Sequence, residues 1–78
     1  MKYAIINKER CQEIGIDPTH RMAHGNDVAI TEKELMFSSA QGNTLEEKAN
    51  NAQAVLMTIE EINAWNYKNG GKEGGYNG

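Results

Sequence analysis

The chain has 78 residues, eight basic and eleven acidic side chains, a net charge of −3 and one cysteine. That is enough for one small domain with a modest core. The lone cysteine excludes an internal disulfide, so a metal or a second chain is the available support, and the acidic excess argues against nucleic acid as a partner.

Charge is unevenly placed. Residues 1–31 carry four basic and four acidic side chains, whereas residues 32–78 carry four basic and seven acidic ones and supply the whole −3. No apolar run approaches the ~20 residues of a membrane span. The run from Tyr3 to Ile6 falls short of the ~7–15 residues of a signal-peptide core. The expectation is a cytoplasmic protein with no membrane partner and with Cys11 reduced.

Residues 2–6, KYAII, predict a short strand that is apolar on both faces. Asn7 is placed to cap a helix over residues 8–14. Gly15 follows as its left-handed stop, with Ile16 able to touch Cys11. Asp17-Pro18 breaks the path. Gly25-Asn26-Asp27 then reads as a turn between Met22 and the period-two pair Val28 and Ile30, which predicts a β-hairpin. The rival reading is a two-turn helix over 18–24, capped by Asp17 and stopped by Gly25. Thr31 and Glu34 form a capping-box pair ahead of Leu35, predicting one or two helical turns over 32–37. Residues 38–43, SSAQGN, have loop composition.

A second capping box, Thr44 with Glu47, opens the most regular stretch. Leu45, Ala49, Ala52, Val55, Leu56, Ile59 and Ile62 recur at helical spacing and predict one long helix ending between Asn63 and Lys68. The last ten residues, NGGKEGGYNG, hold five of the eight glycines and are expected to form a disordered tail over 69–78.

The expected fold class is therefore α+β. A small three-stranded sheet, made of a strand and, after a short helix, a hairpin, packs against one long C-terminal helix in a single domain over 1–68. The expected core is Ile5, Ile14, Met22, Val28, Ile30, Leu35, Ala49, Ala52, Leu56 and Ile59.

Chemistry-bearing patterns are few. His20 and His24 stand four apart, the spacing of two metal ligands on a helix. Arg21 occupies the place where a hydrolytic zinc motif needs glutamate. On a strand the pair would lie about 13 Å apart, too far for one ion. No metal is expected, and a metal site at His20 and His24 is kept as an alternative. Cys11 reads as a small buried hydrophobe rather than a nucleophile. Glu46-Glu47 and Glu60-Glu61 are adjacent on a helix and point about 100° apart, so neither forms an acid/base pair. The glycine-rich terminus lacks the Gly-Lys-Ser/Thr step of a phosphate loop.

On a wheel of the long helix, Met57, Ala64 and Trp65 leave the core stripe, with Glu61 among them. An isolated tryptophan and methionine on a polar face suit contact with another chain. The expected function is a small non-enzymatic interaction or scaffold module, a homo-oligomer (a dimer) or an accessory subunit, with a metal-binding module using His20 and His24 as the alternative and a nucleic-acid-binding accessory protein, through the neutral N-terminal half with Tyr3, Arg10 and Arg21, as the second. On the first reading the partner-binding residues would be Met57, Glu61, Ala64 and Trp65, with no catalytic residue and no cofactor.

Overall fold

The structure, a computed structural model, describes residues 2–68. The tail expected over 69–78 lies outside them. The elements run β1 (Lys2–Asn7), α1 (Lys8–Glu13), β2 (Ala23–His24), β3 (Asp27–Thr31), α2 (Glu32–Phe37), α3 (Leu45–Asn51), β4 (Val55–Thr58) and α4 (Ile59–Lys68). The class is α+β. The sheet is antiparallel with order β2-β3-β1-β4.

The short helices are made by their ends. Asn7 accepts a hydrogen bond from the Arg10 N–H at 2.7 Å and starts α1. At the other end the Ile16 N–H donates to Cys11 O and the Gly15 N–H to Gln12 O, both at 3.0 Å, with Gly15 at φ 86°. This is a Schellman turn, and glycine takes its left-handed residue without a Cβ clash. Thr31 and Glu34 close the expected capping box at the start of α2.

Alternation along β1 builds two cores. Ala4 and Ile6 point to one face, where they meet Cys11, Ile14, Val28, Ile30, Leu35, Ala49 and Ala52. Helices α1, α2 and α3 cover this face. Tyr3 and Ile5 point to the other, where Ala29, Met22, Met57, Ile62 and Trp65 gather beneath α4. Each fully buried Ile or Leu contributes about 1.5–3 kcal/mol of transfer free energy.

Two expectations are corrected. The sheet has four strands rather than three, and the single long helix is instead α3, β4 and α4. The reason lies in β1. A strand with apolar groups on both faces belongs inside a sheet and needs a neighbour on each edge. The hairpin fills one edge and residues 55–58 fill the other, with Ala4 opposite Leu56 and Ile5 opposite Val55. The segment can serve as a strand because Leu56 and Met57 are both apolar and serve opposite faces of the sheet.

The helix stops at Ala52 through a second Schellman turn. The Ala54 N–H donates to Ala49 O at 2.8 Å and the Gln53 N–H to Asn50 O at 3.1 Å. It restarts through a third Thr-x-x-Glu box. The Glu61 N–H donates to Thr58 Oγ1 at 3.1 Å and the Thr58 N–H to Glu61 Oε1 at 2.8 Å. That box stands in the sequence and was masked by the helical stripe around it.

The hairpin is present but its first arm is only two residues long, so the rival helix over 18–24 is absent. Of the expected core, Met22 and Leu56 are half-buried and Ile59 is 45% exposed. Ile59 opens α4 at the rim of the sheet, one turn before the buried Ile62.

Candidate functional site

The paired histidines belong to different surroundings. His20 is exposed in the bend before β2, at φ 60°. It lines a shallow cleft with Lys8, Pro18, Arg21 and Ala23. His24 lies on β2 beneath α4. Its Nε2 is 3.1 Å from Asn66 Oδ1 and its ring meets the Trp65 ring edge-on at 4.6 Å. The strand brings Ala23 to the large core and His24 to the opposite face, so the histidines do not converge. Among the described residues no group of three or more His, Cys, Asp or Glu is placed to hold a metal ion.

Cys11 is fully buried and its thiol lies 3.4 Å from Ile16 O. Burial pushes its pKa up, against a smaller opposing effect of Arg21. A raised thiol pKa removes the thiolate that nucleophilic chemistry needs.

The best-made polar cluster is Arg21 with Glu34. The guanidinium donates to both carboxylate oxygens, at 2.6 and 2.7 Å. The same carboxylate accepts from the Thr31 N–H at 2.9 Å, and Arg21 Nε donates to Asp17 O at 2.7 Å. The Arg21 hydrogen bonds hold the Glu34 pKa below its ordinary value. The cluster fastens the 17–22 bend to α2, and these donors and acceptors all bond other parts of the chain. A second cleft is lined by Arg10, Glu13, Ser39, Gln41 and Asn51, and the buried Arg10 Nε there has no hydrogen-bond partner among the described residues. Arg10 bonds Glu13 at 2.7 Å and Asn51 O at 2.8 Å.

The residues expected to bind a partner do not form one strip, because the helix on which the strip was drawn is interrupted at 52–58. Met57 sits on β4 and packs with Trp65 against Ile5, Ala29 and Ile62. Glu61 is exposed and caps α4 through Thr58. Ala64 is exposed, roughly half a turn around the helix from Ile62.

A different surface emerges in the same segment. β4 has β1 on one side and forms the edge of the sheet. Val55 on this strand is 58% exposed, and Ile59, at the start of α4, is 45% exposed. The stretch 54–59, Ala-Val-Leu-Met-Thr-Ile, holds no charge and no proline. Edge strands usually carry such guards against pairing with other chains. Sequence reasoning missed this surface because Val55 and Ile59 belonged to the inferred core stripe. The signal that could have found it was the Thr58-x-x-Glu61 box, which places a helix start at residue 58.

Among the described residues no helix is long and apolar enough to cross a membrane. Comparison with protein-family models, with characterised proteins and with solved structures returned no match.

Proposed function

We propose that the chain is a small non-enzymatic interaction module that self-associates, or joins a larger assembly as an accessory subunit, through its C-terminal segment. The observation that supports this reading is the uncharged sheet edge at β4, with Val55 and Ile59 uncovered beside it. A domain of this size has little core, so an apolar edge left open weakens it unless another chain covers it. The surface runs from β4 onto the first turn of α4 and includes the exposed Glu61 at its rim.

Sedimentation velocity across the micromolar to millimolar range tests the proposal. Self-association is expected, and Val55→Lys with Ile59→Lys, two changes at exposed positions, is expected to weaken it. A wild-type chain that sediments as a monomer throughout overturns self-association.

A further inference from the structure

We infer that the partner is a second copy of this chain, joined by exchange of the β4–α4 unit about a hinge at Ala52-Gln53-Ala54. The inference rests on the self-association reading but goes beyond its edge surface: the exchange re-pairs β4 with a β1 edge and leaves the outer edge of β4 as it is in the single chain. Each copy would lay its β4 on the partner's β1 edge and its α4 on the partner's Tyr3–Ile5–Ala29 face. Every contact that holds this unit within one chain would then re-form between two.

Three observations on the hinge carry the argument. First, Gln53 sits at φ 60°. The equivalent position of the α1 Schellman turn is Gly15, at φ 86°. A side chain with a Cβ is disfavoured in this left-handed region, and glycine is not. The closed hinge therefore stores backbone strain that the α1 turn avoids.

Second, opening the hinge costs no main-chain hydrogen bond. In the closed turn the Ala54 N–H donates to Ala49 O and the Gln53 N–H donates to Asn50 O. In a continued α-helix the Gln53 N–H donates to Ala49 O and the Ala54 N–H to Asn50 O. The same two donors and the same two acceptors exchange partners.

Third, the hinge residues favour the straight form. Ala-Gln-Ala is composed of good helix formers, so α3 can run on through Ala54 before β4 begins at Val55. Straightening would carry β4 away from its own β1 and direct it to a second chain.

The exchange also gives Val55 a neighbour. The two straightened hinges of a swapped dimer run past one another at the two-fold axis, and Val55, 58% exposed, follows directly after the hinge. The only new interface in a swapped dimer forms there, because all others reproduce contacts of the single chain.

The test combines two hinge variants with a cross-link. Gln53→Gly relieves the strain of the closed turn and is expected to raise the dimer dissociation constant about tenfold or more. Gln53→Val places a β-branched side chain that is strongly disfavoured at φ 60° but keeps the N–H and is tolerated in a helix, and it is expected to shift the population to dimer. Lys2 and Thr58 are exposed and directly opposed across β1 and β4. In the dimer of a Lys2→Cys, Thr58→Cys chain, oxidation is expected to give a covalent dimer on a non-reducing gel. If the dimer instead yields only cross-linked single chains, the exchange is overturned while self-association stands. If wild type and both hinge variants sediment as monomers at every concentration, both readings fall.

Discussion

At the scale of single residues, a few side chains do more than their exposure suggests. Glu34 caps α2 and at the same time receives both arms of the Arg21 guanidinium. Its pKa lies below the ordinary 4.5, and the sign of the linkage follows. A carboxylate depressed in the folded state contributes stability that is complete above its unfolded pKa and is lost as pH falls through the folded one. The wild-type melting temperature is therefore expected to drop as pH is lowered from about 5 toward 3. Glu34→Gln keeps a capping acceptor but loses the charge, so it should cost about 1 kcal/mol at pH 7. The difference from wild type should shrink at pH 3, and thermal melts at the two pH values read it. If the variant loses as much at pH 3 as at pH 7, the pair is not the source. Gln53 is the opposite case, a residue in a conformation that suits glycine. Gln53→Gly should stabilise the monomer by about 0.5–1 kcal/mol once glycine's greater unfolded-state freedom is subtracted from the relieved strain. That corresponds to a rise of a few degrees in melting temperature, measured at low protein concentration.

At the scale of elements, helix starts in this chain repeat one device. Thr31–Glu34, Thr44–Glu47 and Thr58–Glu61 each place a threonine hydroxyl on the N–H three residues ahead. In the first and third, the glutamate returns a bond to the threonine N–H. In the second, Glu47 reaches one residue further back, to the Asn43 N–H at 2.7 Å. Such caps are worth about 1 kcal/mol each. Thr58→Ala should cost that amount and fray the first turn of α4. Amide exchange at the first helical residues should accelerate, while the Ile30 amide in β3 should slow or quicken only with global stability. Equal acceleration in β3 and α4 would mean that α4 does not open separately. The element most dependent on its surroundings is β4. Four residues pairing with a single strand have little intrinsic stability, and the Schellman turn before them and the box after them set their limits.

At the scale of the whole molecule, the two cores are of unequal weight. The larger face gathers most of the buried side chains, and the α4 face rests on Ile5, Ala29 and Ile62 with half-buried Trp65 above them. A domain of this size is stable by only about 4–12 kcal/mol at typical values per residue. Truncating a buried Ile to Ala costs about 2–5 kcal/mol. Ile6→Ala, in the larger core, should bring the chain to the edge of unfolding at 25 °C. Ile62→Ala should loosen α4 first, and Trp65 fluorescence should shift to the red at denaturant concentrations where far-ultraviolet circular dichroism still reports the sheet. Coincident transitions by both probes would show instead that the molecule unfolds as one unit.

Wherever the signal is local, the sequence by itself determined the element. The strand at the N-terminus, α1 with its Asn7 cap and Gly15 stop, the turn at residues 25–27 and the boxed start of α2 all follow from neighbours a few residues apart. Backbone capping and glycine stereochemistry act at that range. Residues 45–62 behaved differently. Their apolar spacing fits one helix, and it also fits a helix, a turn on a non-glycine residue and a strand, since the step from Val55 to Leu56 is compatible with either period. Only the tertiary structure decided between them, because β1 is apolar on both faces and required a second neighbour. That decision moved Met57 and Trp65 onto an inner face and exposed Val55 and Ile59. The demand of one strand for a partner fifty residues away outweighed a local helical preference of a few tenths of a kcal/mol per residue, because pairing and burial of the segment contribute several kcal/mol together.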